Sequence, residues 1–195
     1  MNYLAHIYLS GNNIELMIGN FIADAVKGRA LERYSIDIQK GIKLHHSIDH
    51  FTDTHDIVKK SKKRLWGKYR HYNAVIVDIF YDHFLAKNWK NHHPLKLEEF
   101  TNNSYNTFTD NLHVFPDKMQ LFYNHMVKNN WLYNYQFVEG IKMVMGGMAK
   151  RTTFKSGMEN STEDLLKYYD EFEYEFESFF PLLKQYTDSE IAVLL

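Results

Sequence analysis

The chain has 195 residues, a formal net charge of -1 and a pI near 6.8, so its overall charge does not attract it to nucleic acid or to an acidic membrane. It contains no cysteine, which excludes disulfide bonds and thiolate metal ligands. No stretch approaches the ~20 apolar residues of a membrane span, and no signal segment is evident, so we expect a cytoplasmic protein. The aromatic content of 16% and only three prolines favour one well-packed domain over residues 1–195.

Hydrophobic periodicity predicts helices throughout and no strand, so the expected fold class is an all-α, single-domain helical bundle. A short apolar segment at 2–8 comes first. Helices are then expected over 14–25, 37–51, 53–66, 72–88, 95–112, 117–129, 135–148 and 162–186. Pro181 lies within the last of these, and we expect it to kink or break that helix.

Two clusters of His and Asp lie within the predicted helices. The first is His45-His46-Ser47-Ile48-Asp49-His50 with Asp53, and the second is Asp78-Ile79-Phe80-Tyr81-Asp82-His83. Ionisable side chains recur at i and i+4 in both, which places them on one helix face and lets them converge on a shared point. The helix over 72–88 is apolar nearly all round, so its carboxylates will be buried and will need partners.

Imidazole and carboxylate ligands suit hard divalent cations such as Mn²⁺ or Mg²⁺. A metal centre is therefore the functional interpretation of these clusters. The candidate residues are His6, Asp24, His45, Asp49, Asp78, Asp82 and His83. The alternative is that Asp78 and Asp82 form buried salt bridges or helix caps and that the histidines, 11 in the whole chain, have ordinary structural roles.

Two cationic segments also have two interpretations each. The run Lys59-Lys60-Ser61-Lys62-Lys63-Arg64, extended by Lys68 and Arg70, can hold a phosphate or an acidic protein surface, or it can be a solvated helix face. Arg151 follows the helix end at Gly146-Gly147 and can bind a phosphate bidentately. Cations at that place equally complement the helix dipole.

Five segments occur in the order found in one enzyme family. The first two are Met1-Asn2-Tyr3-Leu4-Ala5-His6 and Gly19-Asn20-Phe21-Ile22-Ala23-Asp24. The third spans residues 41–53 and matches at Gly41-Ile42, His45, Ile48-Asp49 and Thr52-Asp53. The last two are Asp78 to Leu85 and Gly147-Met148-Ala149. Together they resemble the acyl carrier protein phosphodiesterase family. The likeness runs from residue 1 to beyond Arg151 and is weakest over 90–135. Family members often have an Arg directly after the histidine that corresponds to His45, where this chain has His46. They also often have a second His two residues after the one that corresponds to His6, where this chain has Tyr8.

The resemblance implies an all-α fold distantly akin to the HD-type metal-dependent phosphohydrolases. It also implies hydrolysis of the phosphodiester that joins 4'-phosphopantetheine to a serine of holo acyl carrier protein, with Mn²⁺ as the favoured metal and Mg²⁺ or another divalent cation possible. The protein substrate would be the carrier, which is small and acidic. The basic helix over 59–64 would then have a plausible partner.

The resemblance and the chemistry of phosphodiester hydrolysis together suggest individual roles. The expected metal ligands are His45, Asp49, Asp78 and Asp82. Asp24 would be a further ligand or a base, and His83 or His6 would protonate the leaving serine oxygen. Arg151, Lys59, Lys63 and Asn20 are the expected substrate contacts, whereas His46, His50 and Asp53 are supporting or structural residues.

Two other functions remain open from the sequence. The first is a metal-dependent phosphohydrolase that uses the same centre on a nucleotide or another small phosphodiester. The second is a non-catalytic helical binding module whose histidines and aspartates are structural.

Overall fold

The computed structural model describes residues 1–195, which form eleven α-helices, six short 3₁₀ segments and no strand. The α-helices are α1 (Tyr3–Leu9), α2 (Ile14–Ile22), α3 (Ile36–Thr54), α4 (Asp56–Tyr69), α5 (Asn73–Lys87), α6 (Leu97–Asp110), α7 (Asp117–Lys128), α8 (Trp131–Asn134), α9 (Val138–Ala149), α10 (Ser161–Lys167) and α11 (Tyr169–Leu194). The all-α prediction is therefore confirmed. No helix combines the length and the apolarity that crossing a membrane requires.

Helix α5 lies at the centre of the fold and contacts α1, α4, α9 and α11. Its apolar residues, among them Ile76, Ile79, Phe80 and Phe84, are fully buried in a core of 48 residues. A helix buried on nearly every side has little amphipathic pattern, and this is the pattern that the sequence shows over 72–88. The expectation of a buried central helix is confirmed.

The carboxyl-terminal helix differs from the expectation in two ways. The predicted helix over 162–186 is two helices, because Tyr168 leaves the helical conformation at φ -119° and ψ 35° between α10 and α11. The predicted break at Pro181 was wrong, since α11 continues past it to Leu194. Pro181 lies on the exposed face of α11, where water can hydrate the carbonyl group that has lost its N–H partner.

Helices α2 and α3 approach each other closely at two glycines. A Cβ atom on Gly19 would lie 2.0 Å from the carbonyl oxygen of Ile38, and one on Gly41 would lie 2.2 Å from the carbonyl oxygen of Leu16. Both glycines have ordinary helical backbones, so it is the missing side chain that permits the contact. Asn20 on α2 and His45 on α3 are brought together beside this contact.

Helix α1 is fastened to α5 through its first residues. The Asp82 carboxylate accepts hydrogen bonds from the backbone N–H groups of Asn2 at 3.0 Å, Leu4 at 2.8 Å and Ala5 at 3.4 Å. These N–H groups have no partner within a helix, and a negative charge is favoured at a helix amino terminus. Asp82 therefore caps α1 and fixes the helix that carries His6.

Replacing Gly41 with alanine tests the close contact between α2 and α3. The added methyl group would have to displace the backbone of α2, so we expect Gly41→Ala to lower the free energy of unfolding by about 3 kcal/mol, measured by urea denaturation. Gly67→Ala on α4 is the matched control. A Cβ atom there meets nothing within 4 Å, so this variant should be as stable as the wild type or more stable. Equal stability of the two variants would contradict the contact.

Candidate metal centre

A cavity of about 330 Å³ opens where α1, α2, α3 and α5 meet. Its polar lining consists of His6, Asn20, Asp24, His45, Asp49, Asp53, His71 and Asp78. Six of these residues are among those that the sequence singled out as functional candidates. The cavity brings them together from segments that are far apart in the chain.

His6, His45 and Asp49 converge at one end of the cavity. The Nε2 atom of His6 lies 3.2 Å from one carboxylate oxygen of Asp49, and the Nε2 atom of His45 lies 3.1 Å from the other. The two imidazole rings stack with centroids 4.1 Å apart. One ligand atom from each of the three residues lies within 4.8 Å of the others, which is the spacing of ligands around a single ion.

Asn20 holds the opposite edges of both imidazoles. Its side-chain oxygen lies 2.7 Å from Nδ1 of His6, and its backbone oxygen lies 2.8 Å from Nδ1 of His45. The side-chain NH₂ group of Asn20 donates to the carbonyl oxygen of His6 and to Ser10, so its orientation is settled. Because both oxygens can only accept, each Nδ1 must carry a proton.

The Nε2 atoms of His6 and His45 are therefore the ring atoms that can coordinate a cation, and both face the Asp49 carboxylate. Both are buried. Metal-binding histidines characteristically donate their other ring N–H to a carbonyl or carboxylate oxygen, as these two do to Asn20. Two imidazoles with one or two carboxylates form a donor set for a divalent cation, and this group can bind one.

The two imidazoles differ in protonation at neutral pH. Burial lowers the pKa of His45, but the carboxylates of Asp24 at 3.5 Å and Asp49 outweigh burial and raise it to about 9. Burial and the neighbouring His45 lower the pKa of His6 to about 4. Burial opposes ionisation of Asp49 as well, yet the two histidines hold the pKa of its carboxyl group far below the usual range. At neutral pH His45 therefore carries a second proton, on Nε2, and a cation bound there would displace that proton.

The two predicted ligands on α5 have other partners. Asp82 is fully buried, caps α1 and does not line the cavity. Asp78 lines the cavity, and one of its carboxylate oxygens lies 3.0 Å from the amino group of Met1. Asp78 thus forms a salt bridge and Asp82 a helix cap, which are the structural roles that the sequence allows as the alternative to metal binding.

Several predicted contacts lie away from the cavity. His83 places Nδ1 2.7 Å from the carbonyl oxygen of Tyr135 and Nε2 2.7 Å from the Tyr169 hydroxyl. The guanidinium group of Arg151 lies over the rings of Phe122 and Trp131. Neither residue lines the cavity, and neither do Lys59 and Lys63, which are exposed on α4.

The structure also adds residues to the site. Asp53 lines the cavity one helical turn after Asp49, a spacing visible in the sequence, and accepts a hydrogen bond from Lys62 at 2.6 Å. His71 lines it from the 3₁₀ segment Arg70–Tyr72, where no motif in the sequence marks it. Tyr8, at the position of the second family histidine, donates its hydroxyl to the carbonyl oxygen of His92 and lies outside the cavity.

An all-α chain whose two imidazoles and one carboxylate converge in one cavity has a group of side chains that can bind a metal ion. Comparison with known families makes this more specific. A family model described as acyl carrier protein phosphodiesterase matches residues 1–183, and the chain belongs to this family.

Individual relatives agree over almost the whole chain. An acyl carrier protein phosphodiesterase of Photorhabdus laumondii is 31% identical over 191 residues, covering 97% of this chain and 96% of that protein. One of Yersinia enterocolitica is 30% identical over 193 residues, covering 98% and 100%. One of Escherichia coli is 30% identical over 189 residues, covering 95% and 96%. No solved structure matches this chain, so kinship with the HD-type phosphohydrolases stays a prediction.

The stability of the metal-free protein should depend on the charge of His45. Because folding raises its pKa from 6.5 to about 9, the stabilisation is complete below pH 6.5 and is lost as the pH rises through about 9. A metal binds the deprotonated ring, so the increase in Tm caused by Mn²⁺ should grow over the same range. Thermal denaturation with and without Mn²⁺ measures both trends. An identical pH dependence in His45→Ala would contradict this explanation.

Proposed function

We propose that this protein is a metal-dependent phosphodiesterase that releases 4'-phosphopantetheine from the serine of holo acyl carrier protein, leaving the apo carrier. The observation that carries the proposal is the convergence of the buried Nε2 atoms of His6 and His45 on the Asp49 carboxylate, in a chain of this family. We further propose Mn²⁺ as the metal, with Mg²⁺ as the alternative, and residues 1–195 as one catalytic domain. A cytoplasmic location stays a prediction.

Different residues of the cavity would bind the cation, accept a proton and orient the imidazoles. His6, His45 and Asp49 would hold it, and Asp24, whose carboxylate is 79% exposed beside His45, would complete the ligand set or accept a proton from water. A bound divalent cation neutralises a phosphoryl oxygen and lowers the pKa of its water. Asn20, predicted as a substrate contact, would instead keep both imidazoles in the correct tautomer.

The leaving serine oxygen needs a proton, and His71 is better placed than His83 to provide it. Both ring nitrogens of His83 already have partners outside the cavity. In His6, Nδ1 donates a hydrogen bond to Asn20 and Nε2 faces the Asp49 carboxylate. His71 is exposed at the cavity wall, and neither of its ring nitrogens makes a hydrogen bond within the protein. Imidazole is suited to donate a proton near neutral pH.

The proposed activity can be tested by weighing the carrier protein. Purified enzyme with Mn²⁺ should convert holo to apo acyl carrier protein, a loss of the phosphopantetheine mass in a mass spectrum. Asp49→Asn keeps the size of the side chain but removes its charge, so we expect turnover to be lost together with the rise in Tm caused by Mn²⁺. Asp49 is preferred to Asp82 for this test, because loss of the α1 cap would impair folding.

Asp170→Asn, an exposed substitution on α11, is the matched control and should retain both properties. Cleavage of small phosphodiesters without cleavage of the carrier would favour the nucleotide alternative. No metal-dependent rise in Tm in the wild type would favour a non-catalytic binding module.

The role of His71 can be separated from metal binding by the leaving group. His71→Ala should lower kcat on holo acyl carrier protein by about 100-fold or more, because a serine alkoxide leaves poorly without a proton. Hydrolysis of bis(p-nitrophenyl) phosphate should change far less, since p-nitrophenolate needs no proton to leave. His113→Ala, at an exposed histidine outside the cavity, is the control. Equal losses on both substrates would contradict the proton-donor role.

A further inference from the structure

The basic run on α4 is largely neutralised within the protein. Lys59 pairs with Asp56 at 3.0 Å, Lys62 pairs with Asp53 at 2.6 Å, and Lys60 and Arg64 both pair with the buried carboxylate of Glu175. Lys68 pairs with Asp164. Of the five cations in residues 59–64, only Lys63 has no ion pair, and Lys60 and Arg64 share the single charge of Glu175. The longest basic run in the sequence therefore offers little free charge to an acidic partner.

Free positive charge lies instead on the segment that follows the metal centre. Residues 26–46 contain five cations and two carboxylates, in a chain whose net charge is -1. The cations are Lys27, Arg29, Arg33, Lys40 and Lys43. Only Lys40 forms an ion pair, with Asp37 three residues earlier, so four of the five cations have no acidic partner. This segment therefore carries uncompensated positive charge close to the cavity.

An apolar groove of about 590 Å³ runs along the same segment. Val26, Leu31, Ile36 and Ile42 form apolar parts of its wall, and Lys40 and Lys43 lie beside them at i and i+3 on α3. Ile36 is 73% exposed, and Val193 from the end of α11, which lines the same groove, is 85% exposed. The groove thus combines exposed apolar surface with two lysines, of which Lys43 has no ion pair and Lys40 pairs only with Asp37.

The groove also lies next to the metal centre. His46, which lines it, directly follows His45 on α3, and Val26 comes two residues after Asp24. A ligand in this groove would therefore approach the cation site from its side. His46 is exposed and lines this groove, and it does not line the cavity of the candidate metal centre.

We propose that this groove is the docking surface for the acyl carrier protein, and that it receives an acidic, amphipathic helix of the carrier. The inference rests on the proposed function. Apolar side chains of such a helix would cover Ile36 and Ile42, while its carboxylates would face Lys40 and Lys43. A concave groove beside the reacting group fits a protein helix better than a flat lipid surface. The serine that carries the phosphodiester would then be delivered towards Asp24 and His45.

Charge reversal in the groove tests this docking surface. The double variant Lys40→Glu with Lys43→Glu should raise KM for holo acyl carrier protein by about tenfold and weaken the salt dependence of KM. The matched control is Lys128→Glu with Lys142→Glu, which changes the same net charge at two exposed, unpaired lysines on α7 and α9. Its KM should stay within about twofold of the wild-type value. Equal Tm values and equal Mn²⁺-induced rises in Tm would show that all three proteins are folded alike.

Three results would overturn the docking surface while the proposed function stands. In the first, the groove variant cleaves the carrier with an unchanged KM. In the second, KM rises equally in both double variants. In the third, KM falls as the acyl chain on the carrier becomes longer but does not change on charge reversal. The last result would assign the groove to the acyl chain. If the unsubstituted enzyme with Mn²⁺ cleaves no carrier at all, the proposed function fails and the docking surface falls with it.

Discussion

The contact between Gly19 on α2 and Gly41 on α3 is the constraint on which the site depends. It brings two helix backbones to a separation that any side chain would prevent. At that separation Asn20 reaches the imidazole on α3 with its backbone oxygen and the imidazole on α1 with its side chain. A wider spacing would break one of these hydrogen bonds, and the ring concerned would lose its fixed tautomer. The packing of two helices thus decides which imidazole nitrogen is available to a cation.

Attachment of α1 to α5 supplies the other half of the geometry. A helix of seven residues is too short to be stable alone, so its position depends on tertiary contacts. The Asp82 carboxylate provides such contacts by accepting from three backbone N–H groups at the start of α1, and this places His6 against His45. A buried carboxylate that looks catalytic in a sequence can therefore act on the site indirectly, by holding a helix that carries a ligand.

The sequence reveals the local order well and the long-range partners poorly. Helical periodicity predicts an all-α chain, and the i, i+4 spacing of His45 and Asp49 places both on the face that lines the cavity. The same spacing on α5 suggests ligands, yet Asp82 finds its partners about 80 residues away, which periodicity cannot show. His71 lies in a short 3₁₀ segment without a motif, so only the fold reveals that it lines the cavity.

Charge is the second property that the sequence shows only in part. An acidic partner is attracted only by cations that the protein has not already paired with its own carboxylates. A carboxylate beside a cation reduces the attraction that the cation exerts at a distance. On α4, Glu175 from α11 lies buried between Lys60 and Arg64, and these pairs serve to hold α4 against α11. On α3 and the segment before it, the cations are fewer but mostly unpaired, and they flank exposed apolar side chains beside the metal centre. The location of free charge, and not the length of a basic run, therefore determines which surface can recognise an acidic protein.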